Sequence, residues 1–184
     1  MLFELPDKEE IENEGIKAVR TTSLADLDWV EKDLENLLAN NMPQMIREEH
    51  LLPIFQERPR QQEPDILALD KEGKLYIFEL KRSRSKSENL LQVMTYGQKF
   101  GVYSYDKLNK LFQRSLEMEG NDLQEYHKNH FGLDQNLPME KFNDKQKFVI
   151  VTNGIDVRTL EAIQYWKEKG LPVEKLTYKI YEIN

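Results

Sequence analysis

Cysteine is absent from the chain. That excludes a disulfide framework and any zinc centre built on thiolates, and it favours the cytoplasm as the compartment. Histidine is scarce: His50, His127 and His130 are the only three. They lack metal-ligand spacing, and His127 with His130 reads as helix surface. No apolar run resembles a signal sequence or a membrane span, so no membrane partner is expected. Positive charge is also in deficit, with 26 Lys and Arg against 33 Asp and Glu and a net charge of −7. A general electrostatic grip on nucleic acid rests on Lys and Arg, so any phosphate contact here must be local.

What is present suffices for one domain with a real core: 184 residues, 39% of them hydrophobic. Residues 1–22 are acidic and weakly periodic, and read as an N-terminal arm or an edge strand ending near Arg20. TTSLADLDWVEKDLENLLANN predicts an amphipathic helix capped at Ser23, with Leu27, Val30, Leu34, Leu37 and Leu38 on one stripe. HLLPIF reads as part of a loop. After a hairpin, Ser85 or Ser87 caps a helix running to about Phe100, with Gly101 beyond. Residues 105–131 predict two helices broken at Gly120 and Asn121, forming a helical insertion or lid that extends with its connection to 140. KFVIVTNG, DVRTLEAIQYWKEKG and VEKLTYKIYEI then predict a buried strand, a helix stopped by Gly170 and a final strand. This order specifies an α/β fold, with a mixed central sheet flanked by helices.

The hairpin lies in EPDILALDKEGKLYIFELKR, Glu63 to Arg82. With Lys71, Glu72 and Gly73 as its loop and Gly73 left-handed, Asp70 faces Lys74. Counting back by twos pairs Leu69 with Leu75, Leu67 with Ile77, and Asp65 with Glu79, all on one face. Two carboxylates directly opposite one another repel, so a cation should compensate. Lys81 shares that face, and the acids could hold Mg²⁺ or Mn²⁺ while leaving positions for water and phosphate oxygens. On the preceding helix Glu31 falls within the apolar stripe, whereas Glu35 sits at its margin. A carboxylate aimed at the core needs a partner, either a metal shared with Asp65 and Glu79 or an arginine.

These residues resemble the PD-(D/E)XK nuclease superfamily, whose fold is restriction-endonuclease-like. Pro64-Asp65 matches the PD element and Glu79-Leu80-Lys81 the E-x-K element. Gln92-Val-Met-Thr-Tyr96 looks like the Q-x-x-x-Y pattern of the RecB-like branch, with Gln92 and Tyr96 on one helix face. The layout is similar to the nuclease domain of NucS-type endonucleases over residues 24–100 and 146–183. Residues 105–140 fall outside it, and the N-terminal DNA-binding domain of that type has no counterpart here, so mismatch specificity is not implied.

The resemblance implies metal-dependent phosphodiester hydrolysis, with DNA as the favoured substrate and Mg²⁺ or Mn²⁺ as cofactor. Asp65 and Glu79 would bind the metal with Glu31 as third ligand. Lys81 would position or activate water, or stabilise the charged phosphate; Gln92 and Tyr96 would brace it or touch the backbone. Arg82, Arg84 and Lys86 form a local basic run, which Arg58 and Arg60 would extend. A homodimer or larger complex would supply the second site that cutting both strands usually needs. The rival expectation, from another class, is a catalytically silent module of the same fold that binds nucleic acid or serves in assembly.

Overall fold

The computed structural model describes residues 3–4, 17–46, 50–57, 63–115 and 120–182. Arg58 and Arg60 lie outside them, as does most of the N-terminal segment. Along the chain come β1 (Phe3–Glu4), β2 (Lys17–Ala18), β3 (Arg20–Thr22), α1 (Glu31–Asn40), the single turn α2 (Met42–Met45), β4 (Leu52–Gln56), β5 (Ile66–Leu69) and β6 (Leu75–Ser85). There follow α3 (Ser87–Phe100), α4 (Tyr105–Ser115), α5 (Leu123–Phe131), β7 (Gln146–Ile155), α6 (Val157–Glu168), β8 (Val173–Thr177) and β9 (Ile180–Glu182).

The central sheet has the order β4-β5-β6-β7-β8. Its first two joints are antiparallel and its last two parallel, so the fold is α/β with a mixed sheet, as the element order implied. Parallel neighbours need long crossovers. The chain supplies α3, α4 and α5 between β6 and β7, and α6 between β7 and β8.

Side-chain alternation divides the sheet into two cores. Leu67, Leu69, Leu75 and Ile77 face a cluster that includes Val93 and Phe100 of α3, Leu108 and Phe112 of α4, and Leu123 of α5. Ile66, Ala68, Tyr76, Phe78 and Leu80 face the other way, onto Leu34, Leu38 and Met42. Each fully buried aliphatic or aromatic side chain stabilises by roughly 1.5–3 kcal/mol, so both faces drive folding. Gly97 lets α3 approach closely, because a Cβ there would overlap the Phe148 ring of β7.

Several sequence expectations are corrected. HLLPIF is not loop: it supplies β4, where Pro53 is tolerated because β4 is an edge strand and the register shifts between Pro53 and Phe55. The first helix begins at Glu31, seven residues later than a Ser23 cap implies. Ser23 and Asp26 do bond reciprocally, Oγ to Oδ2 at 2.7 Å, but they close a turn that ends at Asp28 with φ 57°. Asp33 Oδ2 instead accepts the Val30 N–H at 2.8 Å. Leu27, Val30 and Leu37 are consequently exposed, and the inward stripe narrows to Leu34, Glu35 and Leu38.

The two helices of the 105–131 segment cover the sheet instead of standing off it as a lid, since Leu108, Phe112 and Leu123 are fully buried. His127 is also fully buried, with Nε2 2.8 Å from the Asp70 carbonyl, and not at the helix surface. The expected final strand splits: β8 ends the main sheet, whereas β9 turns away to pair antiparallel with β3.

Candidate active site

The hairpin adopts the expected register. Leu69 opposes Leu75 and Leu67 opposes Ile77, and Gly73 closes the turn with φ 82°. Beyond Ile66 and Phe78, β5 no longer accompanies β6, which runs on toward Ser85 paired with β7 on its other side. At that point Asp65 and Glu79 stand at the open end of the sheet. Asp65 accepts a hydrogen bond from the Leu80 N–H, and its own carbonyl accepts from Glu57 N at 2.8 Å. Glu79 is completely buried.

Three carboxylates converge here: oxygens of Glu35, Glu57 and Asp65 all lie within 4.8 Å of one another. Each comes from a different element, respectively α1, the end of β4 and the entry to β5. Burial raises the pKa of all of them above the ordinary carboxylate range. For Asp65 the Glu79 charge adds to it. Glu79 is raised by burial too, against the pull of Lys81. Its Oε1 meets Lys81 Nζ at 2.6 Å, whereas its buried Oε2 has no hydrogen-bond partner among the described residues. Buried acids without full compensation are costly, and a hard cation that takes oxygen ligands would relieve them. The donor set therefore fits Mg²⁺ or Mn²⁺.

Glu31, expected as a third ligand, is engaged with Lys81. Helix α1 starts at Glu31, which leaves that side chain 45% exposed, and it reaches Lys81 instead, Oε1 to Nζ at 2.7 Å. One turn further along, Glu35 is 3% exposed and points into the acid cluster. Lys32 braces this arrangement, donating to Glu35 Oε1 at 2.6 Å and to the Glu57 carbonyl at 2.8 Å. Lys81 is thus held between Glu79 and Glu31. Burial works against its charge, but the two carboxylates outweigh it and raise the pKa above the ordinary lysine value.

On the opposite wall, Gln92 Nε2 donates to Tyr96 Oη at 2.9 Å, the i, i+4 contact expected on α3. Tyr96 is buried, and burial raises its pKa, with the charges of Glu79, Asp65 and Glu57 adding to the rise. The basic run is partly engaged elsewhere. Arg82 donates to the Trp29 carbonyl at 2.8 Å and Arg84 to the Ile155 carbonyl at 3.0 Å, whereas Lys86 is exposed at the start of α3. The β6 register shifts between Lys81 and Arg84, where the buried Thr152 Oγ1 donates to the Ser83 carbonyl at 2.8 Å. Tyr178 Oη lies 3.1 Å and 3.0 Å from the carbonyls of Lys81 and Arg82, holding this irregular stretch of β6. Such irregularities often re-aim side chains beside active sites.

Sequence reasoning missed Glu57 and kept Glu35 only in reserve. LPIFQE carries no clean alternation that would mark Glu57, because the register shifts between Pro53 and Phe55. A larger cavity, about 630 Å³, lies at the other end of the hairpin among Lys71, Lys74, Leu137 and Lys145, away from the carboxylates. Among the described residues, no helix is long and apolar enough to cross a membrane.

No protein-family model matches the sequence, and no curated protein does. Among solved structures, the fold is similar to EndoMS in its apo form, at 17% identity and TM-score 0.47 over 82% of this chain and 48% of that one. It is similar to a repair endonuclease from Pyrococcus abyssi, at 21% identity and TM-score 0.44 over 80% of this chain and 47% of that one. A complex of EndoMS with dsDNA matches at 17% identity and TM-score 0.42, over 90% of this chain and 48% of that one. The chain thus spans about half the length of each.

Proposed function

We propose that this protein is a divalent-cation-dependent nuclease that hydrolyses phosphodiester bonds, with DNA as its substrate. The observation that carries this reading is the convergence of Glu35, Glu57, Asp65 and the partly unpartnered Glu79 at one end of the sheet, with Lys81 alongside. Asp65, Glu35 and Glu57 would hold the cation, with Glu79 beside them. When bound, it would lower the pKa of a coordinated water and polarise the scissile phosphate.

The chain's own residues divide the remaining work. Lys81, held protonated by Glu79 and Glu31, is suited to stabilising negative charge on the phosphate and not to removing a proton from water. Glu31 and Glu79 orient its ammonium group. Gln92 and Tyr96 close the α3 side and limit water access. A second copy of the chain would be needed for cutting both strands of a duplex.

The test pairs calorimetric titration with Mn²⁺ and cleavage assays on single-stranded, duplex and branched DNA. Metal binding and cleavage that both disappear in Asp65→Ala are the expected result. Nucleic-acid binding that is independent of metal and never followed by cleavage would instead mark a silent binding module. The absence of any Mn²⁺ or Mg²⁺ binding would leave the carboxylates as structural ion-pair partners.

A further inference from the structure

Outside the motif, α4 carries a row of unpaired positive charge. Lys107, Lys110 and Arg114 are all exposed, and their spacing puts them on one helical face. Among the described residues none of the three forms an ion pair; Lys107 only lies over the Tyr103 ring, 5.4 Å from its centroid. With Phe100 and the buried Glu63 they line a groove of about 330 Å³. In a chain of net charge −7, such a row of cations is a local exception.

Its position relative to the carboxylates is set by three connections. Glu63, which lines the groove, precedes Asp65 of the acid cluster by two residues. Phe100 follows Tyr96 by four residues, one helical turn or roughly 6 Å along α3. At the far end of α4, Ser115 Oγ accepts from Gln56 N at 3.1 Å, which docks the turn carrying Arg114 next to Glu57. The cationic ridge therefore flanks the carboxylates from Glu63 to Glu57.

We infer that this α4 ridge carries the sugar–phosphate backbone of the nucleic-acid strand into the carboxylate cluster, in a manner independent of base sequence. The inference rests on the nuclease reading for what happens at the end of that path. Backbone recognition follows from the chemistry present: Lys and Arg pair with phosphate, whereas the half-buried Tyr103 packs against Phe100 at 5.1 Å and already carries Lys107 over its ring. Among the described residues that line the groove, none carries a side-chain amide that could read a base edge. The charge of the ridge supplies, away from the partly engaged Arg82 and Arg84, the local phosphate grip that an acidic chain needs.

The experiment compares the intact chain with the Lys107→Gln/Lys110→Gln/Arg114→Gln variant. Glutamine matches lysine and arginine in helix propensity, so α4 should persist, which circular dichroism checks. Binding of two labelled duplexes of unrelated sequence, and of one single strand, is followed by fluorescence anisotropy in Ca²⁺ over a range of salt. Loss of three phosphate contacts should weaken duplex binding about tenfold or more near 0.1 M salt. It should also reduce the slope of log affinity against log salt by about 2–3, equally for both sequences. Mn²⁺ calorimetry should be unchanged, because no carboxylate is touched.

Unchanged affinity and slope in the variant would overturn the inference, as would equal competition by polyglutamate at matched charge, which would point to an acidic protein partner. The two readings fail separately. Cleavage by both proteins with the same KM removes the ridge and keeps the nuclease. Salt-dependent binding lost in the variant, with no cleavage by either protein in Mn²⁺, keeps the ridge and removes the nuclease.

Discussion

The two ends of one hairpin hold acids of the same kind in opposite circumstances. At the turn, Asp70 accepts from the N–H groups of Glu72 and Lys74 at 3.0 Å and 2.9 Å, and its Oδ2 pairs with Lys74 Nζ at 3.3 Å. Its carbonyl lies 2.8 Å from the buried His127 ring, which ties the turn to α5. At the open end, Asp65 meets one backbone N–H and faces other carboxylates, and Glu79 retains a buried oxygen with no hydrogen-bond partner among the described residues. Asp70 stabilises the fold through its own contacts. The burial of Asp65 and Glu79 is only partly offset, by Lys81 at Glu79 Oε1. Burial without compensation, more than acidity, separates a site from a turn.

The largest expected effect breaks this contrast directly. Asp65→Ala or Glu79→Ala should reduce cleavage on the order of 10²–10³-fold or more, the scale seen when one electrostatic stabiliser is lost. Asp70→Ala should leave cleavage intact in an assay at saturating substrate and Mn²⁺. Its effect belongs to stability: two N–H groups lose their acceptor, which costs about 1–3 kcal/mol in urea denaturation.

Next is the dependence on pH without metal. The folded-state pKa values of Asp65 and Glu79 are raised above their unfolded values, mainly by burial. The folded chain therefore holds more protons than the unfolded one, and these groups make stability fall as pH rises from the ordinary carboxylate pKa toward the raised folded values. Asp65→Asn should relieve this, raising Tm at pH 8 and much less at pH 5, by about 2–4 °C per kcal/mol recovered. Saturating Mn²⁺ should stabilise the parent chain more strongly at pH 8 than at pH 5, because the ligands must be deprotonated to bind, and Asp65→Asn should lose that gain.

Smaller effects sharpen the assignment of ligands within the open end. Glu35→Gln should weaken Mn²⁺ binding measured by calorimetry, whereas Glu31→Gln should leave it nearly unchanged and act instead on turnover through Lys81. A drop in metal affinity for Glu31→Gln as large as that for Glu35→Gln would restore Glu31 as the ligand. Smallest of all, Tyr96→Phe removes only the Gln92 contact, and a few-fold change in kcat is the expected size.

Much of the fold was legible because it rests on local rules. Period-two alternation set the β5–β6 register, Gly73 set the turn, and the Q-x-x-x-Y spacing brought Gln92 to Tyr96. The errors arose where local signals compete. Ser23 and Asp26 form a capping pair that closes a turn in place of a helix, and this shift changed which glutamate faced inward. Pro53 disguised β4, and with it Glu57, because a proline argues against a central strand but not against an edge.

By itself the sequence determined the α/β class and the hairpin register from Leu69–Leu75 to Leu67–Ile77, since these follow from side-chain alternation and turn chemistry over a few residues. Only the tertiary structure decided that Glu35 and Glu57 join Asp65, that Glu31 instead holds Lys81, and that α4 docks its end onto β4 through Ser115 and Gln56. Those neighbours are brought together by how α1, β4 and α4 pack on the sheet. Packing across elements depends on which face each buries, and no local period encodes it.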